Sequence, residues 1–255
     1  MAKNYTTPTV ITGKNTYCNG CGHSIVIKTI CQLLDEMNLQ EKCVIVHGVG
    51  CCTMLGLNGI VKLSTMHFSH GKTMAAATGV ARCIDDGVLV IGYHGDGDAY
   101  NIGFSETFNA GYRNENVVDI VINNSLYGMT GGQMSHTTLI GEWTENTPEG
   151  RDPEVTGYPL RFPEMVKNAL PHAFLARGGV FNPTEVRKTK ALLKHAFERQ
   201  LSRDGYSLVE ILSMCPTNAH KTPLEVRQWV EDEMGAYYKL GVIQEGASRG
   251  LIENF

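Results

Sequence analysis

The chain has 255 residues, 42% of them apolar, and a formal charge of −4 with its lysines and arginines scattered. That length suits one large α/β domain, and the lack of a basic block argues against nucleic acid, which needs a positive footprint against its phosphates. No apolar run approaches the roughly 18 residues of a membrane helix, and the polar start Met1-Ala2-Lys3-Asn4-Tyr5-Thr6-Thr7 lacks a signal-peptide core, so a soluble cytoplasmic protein is expected.

In chain order, the first pattern is Cys18-Asn19-Gly20-Cys21, a Cys-x-x-Cys pair in a loop. A helix follows it, marked by Val26, Ile30, Leu33, Leu34 and Met37 at helical spacing. Val44–Val46 reads as a strand ending at Gly48-Val49-Gly50, with Cys51-Cys52 next. A second helix is predicted from about Gly71 to Cys83. The strand Val88–Ile91 runs into His94-Gly95-Asp96-Gly97-Asp98, a helix spans about Gly103 to Arg113, and the strand Val117–Ile122 ends at Asn123-Asn124. The stretch Thr130–Pro163 is rich in Gly, Thr and Pro and reads as a long irregular loop, which in a compact domain is functional or partner-covered. A helix starts after Asn182-Pro183-Thr184, and a last strand, Leu208–Leu212, leads to Cys215-Pro216. Strands alternating with helices predict an α/β domain over residues 1–255 with a doubly wound, mostly parallel sheet. Ligands of such sheets bind beyond the carboxyl ends of the strands.

Two groups of residues stand at those ends. Gly95-Asp96-Gly97-Asp98 follows one apolar strand and Asn124 the next. Alone, Gly-Asp-Gly is a tight turn far more often than a ligand site. With Asn124 one βαβ unit away, the pair resembles the thiamine diphosphate fingerprint, Gly-Asp-Gly followed by a downstream Asn, which implies a carboxylate oxygen from Asp96, an amide oxygen from Asn124 and the backbone carbonyl of Leu126. These are the hard oxygen donors that Mg²⁺ requires when it carries a diphosphate. The glycines let the backbone approach phosphates, and the following helix presents free N–H groups.

Four cysteines form the second group: Cys18, Cys21, Cys51 and Cys215. Four thiolates can hold a [4Fe–4S] cluster. The residues alone equally admit a tetrathiolate zinc site or a redox dithiol at Cys18/Cys21. Cys31, Cys43 and Cys83 fall inside helix or strand patterns and read as small buried hydrophobes, while Cys52 is ambiguous.

Together these groups resemble the β subunit of the 2-oxoacid:ferredoxin oxidoreductases. The resemblance runs from Tyr17-Cys18-Asn19-Gly20-Cys21-Gly22-His23 to Cys215-Pro216-Thr217. Between them come Gly48-Val49-Gly50-Cys51, His70-Gly71-Lys72, Gly95-Asp96-Gly97-Asp98, Asn123-Asn124 and Tyr127-Gly128-Met129-Thr130-Gly131-Gly132-Gln133. It implies a fold of the thiamine diphosphate-binding type. It also implies cofactor contacts at Gly95, Asp96, Gly97, Asp98, Asn124, Leu126, Tyr127 and Gly128. Mg²⁺ would sit on Asp96, Asn124 and Leu126, and a [4Fe–4S] cluster on Cys18, Cys21, Cys51 and Cys215. The short C-terminal tail and the run Gly150-Arg151-Asp152-Pro153…Gly157-Tyr158-Pro159 are most similar to branched-chain members.

The implied chemistry is oxidative decarboxylation of a 2-oxoacid with coenzyme A as acyl acceptor and electrons leaving through the cluster. Branched-chain 2-oxoacids are favoured, with 2-oxoglutarate or pyruvate as alternatives. His70 and Thr130 are candidates to hydrogen-bond diphosphate or substrate, against plain roles as a helix-start contact and a turn residue. Met54 and Met129 are candidate walls of the acyl pocket, against plain core roles; His23, His47, His67 and His94 read as structural or unassignable. The carboxylate that activates the aminopyrimidine in this cofactor class has no counterpart here. An α subunit is therefore expected to supply the pyrimidine half, with a ferredoxin-like subunit or external ferredoxin as electron acceptor. The rival from another class is a non-catalytic iron–sulfur or zinc module, which would need the cysteines but not Asp96 and Asn124. A decarboxylase without a cluster would need the reverse.

Overall fold

The computed structural model describes residues 7–247. Residues 1–6 of the polar start and residues 248–255 of the tail lie outside them. Helix α1 (Gly22–Glu36) buries Val26, Ile30, Leu33 and Leu34, the spacing that predicted it. Strand β1 (Cys43–His47), strand β2 (Ser64–His67), helix α2 (Thr73–Cys83) and strand β3 (Leu89–Gly95) follow. A π-helical turn, Gly97–Ile102, runs into helix α3 (Phe104–Tyr112), and strand β4 (Val118–Asn123) comes next. A short hairpin pairs β5 (Leu126–Tyr127) with β6 (Gln133–Met134). The last third contains β7 (Phe174–Gly179), helix α4 (Pro183–Leu201), β8 (Ser207–Leu212), helix α5 (Pro223–Trp229) and β9 (Gly241–Gln244).

The seven-stranded sheet has the order β2-β1-β3-β4-β8-β7-β9, parallel throughout except for β9, which pairs antiparallel with β7. Every residue of β4, β7 and β8 is buried, as expected of strands covered on both faces. One core lies where α1 and α4 meet the sheet through Leu33, Leu34, Leu193 and Phe197. The other lies under α2 and α3 and includes Met74, Ala77, Ala110 and Phe162. The fold is thus the doubly wound single domain expected from the sequence. Among the described residues no helix is long and apolar enough to cross a membrane.

The Thr130–Pro163 stretch is irregular but not loose. The Arg151 guanidinium is buried and donates to the backbone carbonyls of His136, Thr138, Thr156, Gly157 and Tyr158. Ser135, Thr137, Thr138 and Thr144 are fully buried around it. The Arg151–Pro159 run thus shapes this loop and does not line the pocket described next.

Candidate cofactor and cluster site

Four adjacent strands, β1, β3, β4 and β8, end at one edge of the sheet, and each end delivers a residue group singled out above. One pocket there is lined by His23, Gly50, Cys51, His70, Gly95, Asp96, Gly97, Asp98, Asn124, Leu126, Tyr127, Gly128, Met129 and Thr130. Of the two candidate apolar walls only Met129 lies on it; Met54 packs at the border of the core beneath α1.

The oxygen donors converge. In the orientation found, the Asn124 amide oxygen lies 2.8 Å from the Leu126 carbonyl oxygen and 3.2 Å from Asp96 Oδ1. Rotating the amide would turn its NH₂ to both. Otherwise three acceptors face one another with no proton between them, an arrangement that a cation relieves. A metal–oxygen distance of about 2.1 Å puts neighbouring ligands of an octahedron about 3 Å apart, so the spacing fits Mg²⁺. The other Asp96 oxygen, Oδ2, accepts from Ser135 Oγ at 2.6 Å and from Thr137 Oγ1. Burial raises the Asp96 carboxyl to about 6 despite these two hydroxyls.

Asp98 lines the same pocket, but its carboxylate is already engaged. It accepts from the Gly71 amide and Thr73 Oγ1, both at 2.8 Å, and meets His70 Nδ1 at 2.5 Å and His94 Nδ1 at 2.9 Å. It therefore fixes the start of α2 and the ring of His70. Burial pushes Asp98 up, but the two histidines outweigh it and hold the carboxyl well below its usual range. His94 Nε2 reaches Asp119 at 2.7 Å, and Asp119 also accepts from Tyr206 Oη. Burial opposes the charged imidazole, yet Asp119 and Asp98 raise His94 to about 10. His94 is thus a buried imidazole held between two carboxylates. Thr130 Oγ1 turns to the Gln133 side chain, the plain turn role, while His70 packs edge-on to Tyr127 beside the pocket.

The cysteines gather at the same edge. A Cβ on Gly128 would stand 3.3 Å from Cys51 Sγ and 3.6 Å from Cys215 Sγ, so both thiols flank the Tyr127-Gly128 turn. The Cys18–Cys21 loop docks through the Gly22 amide on the Met214 carbonyl. Gly20, at φ +79°, is pressed so closely on Pro223 and Pro216 that a side chain there would clash. Burial raises the Cys21 thiol to about 12 and that of Cys51 to about 11, and neighbouring thiols of the set add to both. Among the described residues no three His, Cys, Asp or Glu side chains close on a single ion. A four-iron cluster is wider than one ion and holds its thiolates further apart. Cys52 is buried with its thiol toward the Gly48 carbonyl, Cys31 and Cys43 are buried in the core, and Cys83 is exposed at the end of α2.

Ser135, Thr137 and Glu210 carried no signal that sequence reading could use. Glu210 accepts from Asn123 Nδ2, and Asn123 Oδ1 accepts from the Ser125 amide, so the first asparagine of the pair shapes the turn that presents the second.

Residues 48–211 match the model of the thiamine pyrophosphate enzyme C-terminal TPP binding domain. The ketoisovalerate oxidoreductase subunit VorA of Methanothermobacter thermautotrophicus is 39% identical over 218 residues, covering 86% of this chain and 45% of that protein. The 2-oxoglutarate synthase subunit KorB of Methanothermobacter marburgensis is 30% identical over 222 residues, 85% of this chain and 73% of that protein. The chain thus spans less than half the length of VorA. The 2-oxoglutarate:ferredoxin oxidoreductase of Magnetococcus marinus shares the fold, with a TM-score of 0.77 at 22% identity over 99% of this chain and 90% of the other. The chain belongs to the thiamine pyrophosphate enzymes, carries their C-terminal TPP-binding domain, and groups within them with the oxidoreductase subunits that act on 2-oxoacids.

Proposed function

We propose that this chain is the thiamine diphosphate-binding and [4Fe–4S]-carrying part of a coenzyme A-dependent 2-oxoacid:ferredoxin oxidoreductase. The observation that carries this reading is the convergence of the Asp96, Asn124 and Leu126 oxygens in a pocket that Cys51 also lines. Asp96 and Asn124 would hold Mg²⁺ together with the Leu126 carbonyl, and Ser135 and Thr137 would fix the carboxylate for it. Gly95, Gly97 and Gly128 keep the backbone free of side chains around the pocket, and Tyr127 closes on Gly97 through a 3.3 Å hydrogen bond to its carbonyl. Cys18, Cys21, Cys51 and Cys215 would hold the cluster within reach of the pocket. Thiamine diphosphate, when bound, supplies the carbon nucleophile and electron sink for decarboxylation. His70, held by Asp98, is the imidazole presented beside that chemistry.

An α subunit would provide the pyrimidine half and most substrate contacts, and ferredoxin, free or as a subunit, the electron exit. A cytoplasmic location belongs to this reading, because cluster thiols must stay reduced. The substrate ranking is branched-chain 2-oxoacids first, supported by the VorA relatives and the apolar Met129, and 2-oxoglutarate second, supported by KorB. The test is anaerobic purification of the complex, with iron, sulfide and thiamine diphosphate assayed and viologen reduction followed on 2-oxoisovalerate, 2-oxoglutarate and pyruvate. About four irons per chain are expected, lost in Cys51→Ser and kept in Cys83→Ser, and cofactor is expected to be lost in Asp96→Ala. Stoichiometric zinc without sulfide would sink the cluster, and a preference for pyruvate or 2-oxoglutarate would reverse the ranking.

A further inference from the structure

A second cavity meets the cysteine set at Cys21. It is a groove between α1 and α4, closed at one end by α5, and Cys21 forms part of its wall. The cofactor pocket is lined by Cys51 and the groove by Cys21, so each cavity meets one member of the cysteine set. Its apolar floor includes Ile25, Val186 and Leu224, the last 73% exposed.

Charge distinguishes this face from the rest of the molecule. The chain is net negative, yet Lys28, Arg187 and Arg227 line the groove, and none of the three has a carboxylate within ion-pair distance among the described residues. Arg227 Nε is buried without a hydrogen-bond partner. The fourth cation, Lys190, is held by Glu36 at 2.7 Å, and Asp35 is engaged by Thr9 and Gln40. Even against the charge of Asp35, the cations leave the groove net positive around a small apolar floor, and with a candidate cluster ligand in the wall this favours one kind of visitor.

We propose that this groove docks a small acidic electron-carrier protein of the ferredoxin type. The inference rests on the reading of Cys21 as a cluster ligand. Carboxylates of the carrier would pair with Lys28, Arg187 and Arg227, and an apolar residue near its own centre would meet Leu224. Electron-transfer encounters are small, weak interfaces in which complementary charge sets the rate of encounter more than the depth of binding. Each encounter would move one electron: a cluster held by Cys18, Cys21, Cys51 and Cys215 would give it up, the oxidised centre of the carrier would take it, and no atom would change place. The 2-oxoacid is the reductant, so one turnover needs two encounters.

The test compares the wild-type complex with the Lys28→Glu/Arg187→Glu double variant, two exposed positions whose replacement leaves the core intact. Oxidised ferredoxin is titrated into each complex by calorimetry at several salt concentrations. About tenfold or greater weakening at low salt is expected, with a shallower salt dependence. In turnover, KM for ferredoxin should rise by the same factor while 2-oxoacid-dependent reduction of methyl viologen, a small cation, stays unchanged. Unchanged ferredoxin affinity and salt slope would overturn the proposal. Failure of the variant to assemble with its partner subunit would overturn it too, by assigning the groove to a fixed subunit. A wild-type complex without a cluster fails the parent reading instead, before any variant is compared.

Discussion

At the scale of single residues, Asp96 shows how a carboxylate is oriented by its neighbours. Its Oδ2 is taken by Ser135 and Thr137, which leaves Oδ1 turned to the Asn124 amide and the Leu126 carbonyl. Groups that orient a metal ligand are worth about 10–100-fold in affinity when removed. Thr137→Val keeps the volume and deletes the hydroxyl, so it should weaken Mg²⁺-dependent thiamine diphosphate binding by about that factor without unfolding the chain. Calorimetric titration checks the affinity and circular dichroism the fold; unchanged affinity would deny the hydroxyl its role. Asp96 and Asn124 were legible because each directly follows an apolar strand, a position where a polar residue needs a reason. Ser135 and Thr137 were not. They sit in a loop without period, where hydroxyl residues are ordinary, and only the fold brings them to Asp96.

Among the elements, strands were legible where apolar residues dominate the whole run, even around a single charge such as Asp119 or Glu210, and lost where the run is short. β3, β4 and β8 show as apolar runs. β7, Phe174-Leu175-Ala176-Arg177-Gly178-Gly179, is just as buried but carries a guanidinium at its centre. Arg177 survives there because Glu210, its neighbour across β8, accepts from Nε at 2.8 Å and Glu164 takes both remaining nitrogens. The pairing is long-range, so no local pattern foretells it. β2 was missed for the opposite reason: an edge strand of polar, largely exposed residues has no apolar signature. Breaking the β7–β8 pair should be costly. Arg177→Met leaves Glu210 buried and uncompensated, and a loss of about 3–5 kcal/mol is expected in urea unfolding. The double replacement Arg177→Met/Glu210→Leu should recover a substantial part of it. It would also free Asn123, whose side chain Glu210 holds, so cofactor affinity should fall even where stability returns. Equal stability of the single variant and wild type would show that Glu164 and Glu210 are solvated in solution.

For the whole molecule, a ligand held by the ends of β3 and β4 ties the middle of the sheet together, and binding to the folded chain alone must stabilise it. At a cofactor concentration one hundred times its dissociation constant the gain is about 2.7 kcal/mol. In a domain of this size each kcal/mol moves the melting point by about 2–4 °C. Thiamine diphosphate with Mg²⁺ should therefore raise Tm by about 5–10 °C in scanning calorimetry, and Asp96→Ala should abolish the shift. A shift of equal size in that variant would place the diphosphate elsewhere. The overall architecture was readable from alternation alone, because parallel strands covered on both faces leave apolar runs at regular intervals. The groove beside Cys21 was not, since its cations come from α1, α4 and α5, and only their packing puts them on one face.

The four thiols come from three places in the chain: Cys18 and Cys21 before α1, Cys51 after β1, and Cys215 beyond β8. Cys215 reaches the others only once β8 has entered the sheet between β4 and β7. During synthesis the set is therefore incomplete until nearly all of the sheet has left the ribosome. If these residues hold an inorganic centre, it would be completed only after β8 is made, and a nascent chain stalled before Cys215 would offer three of the four thiols.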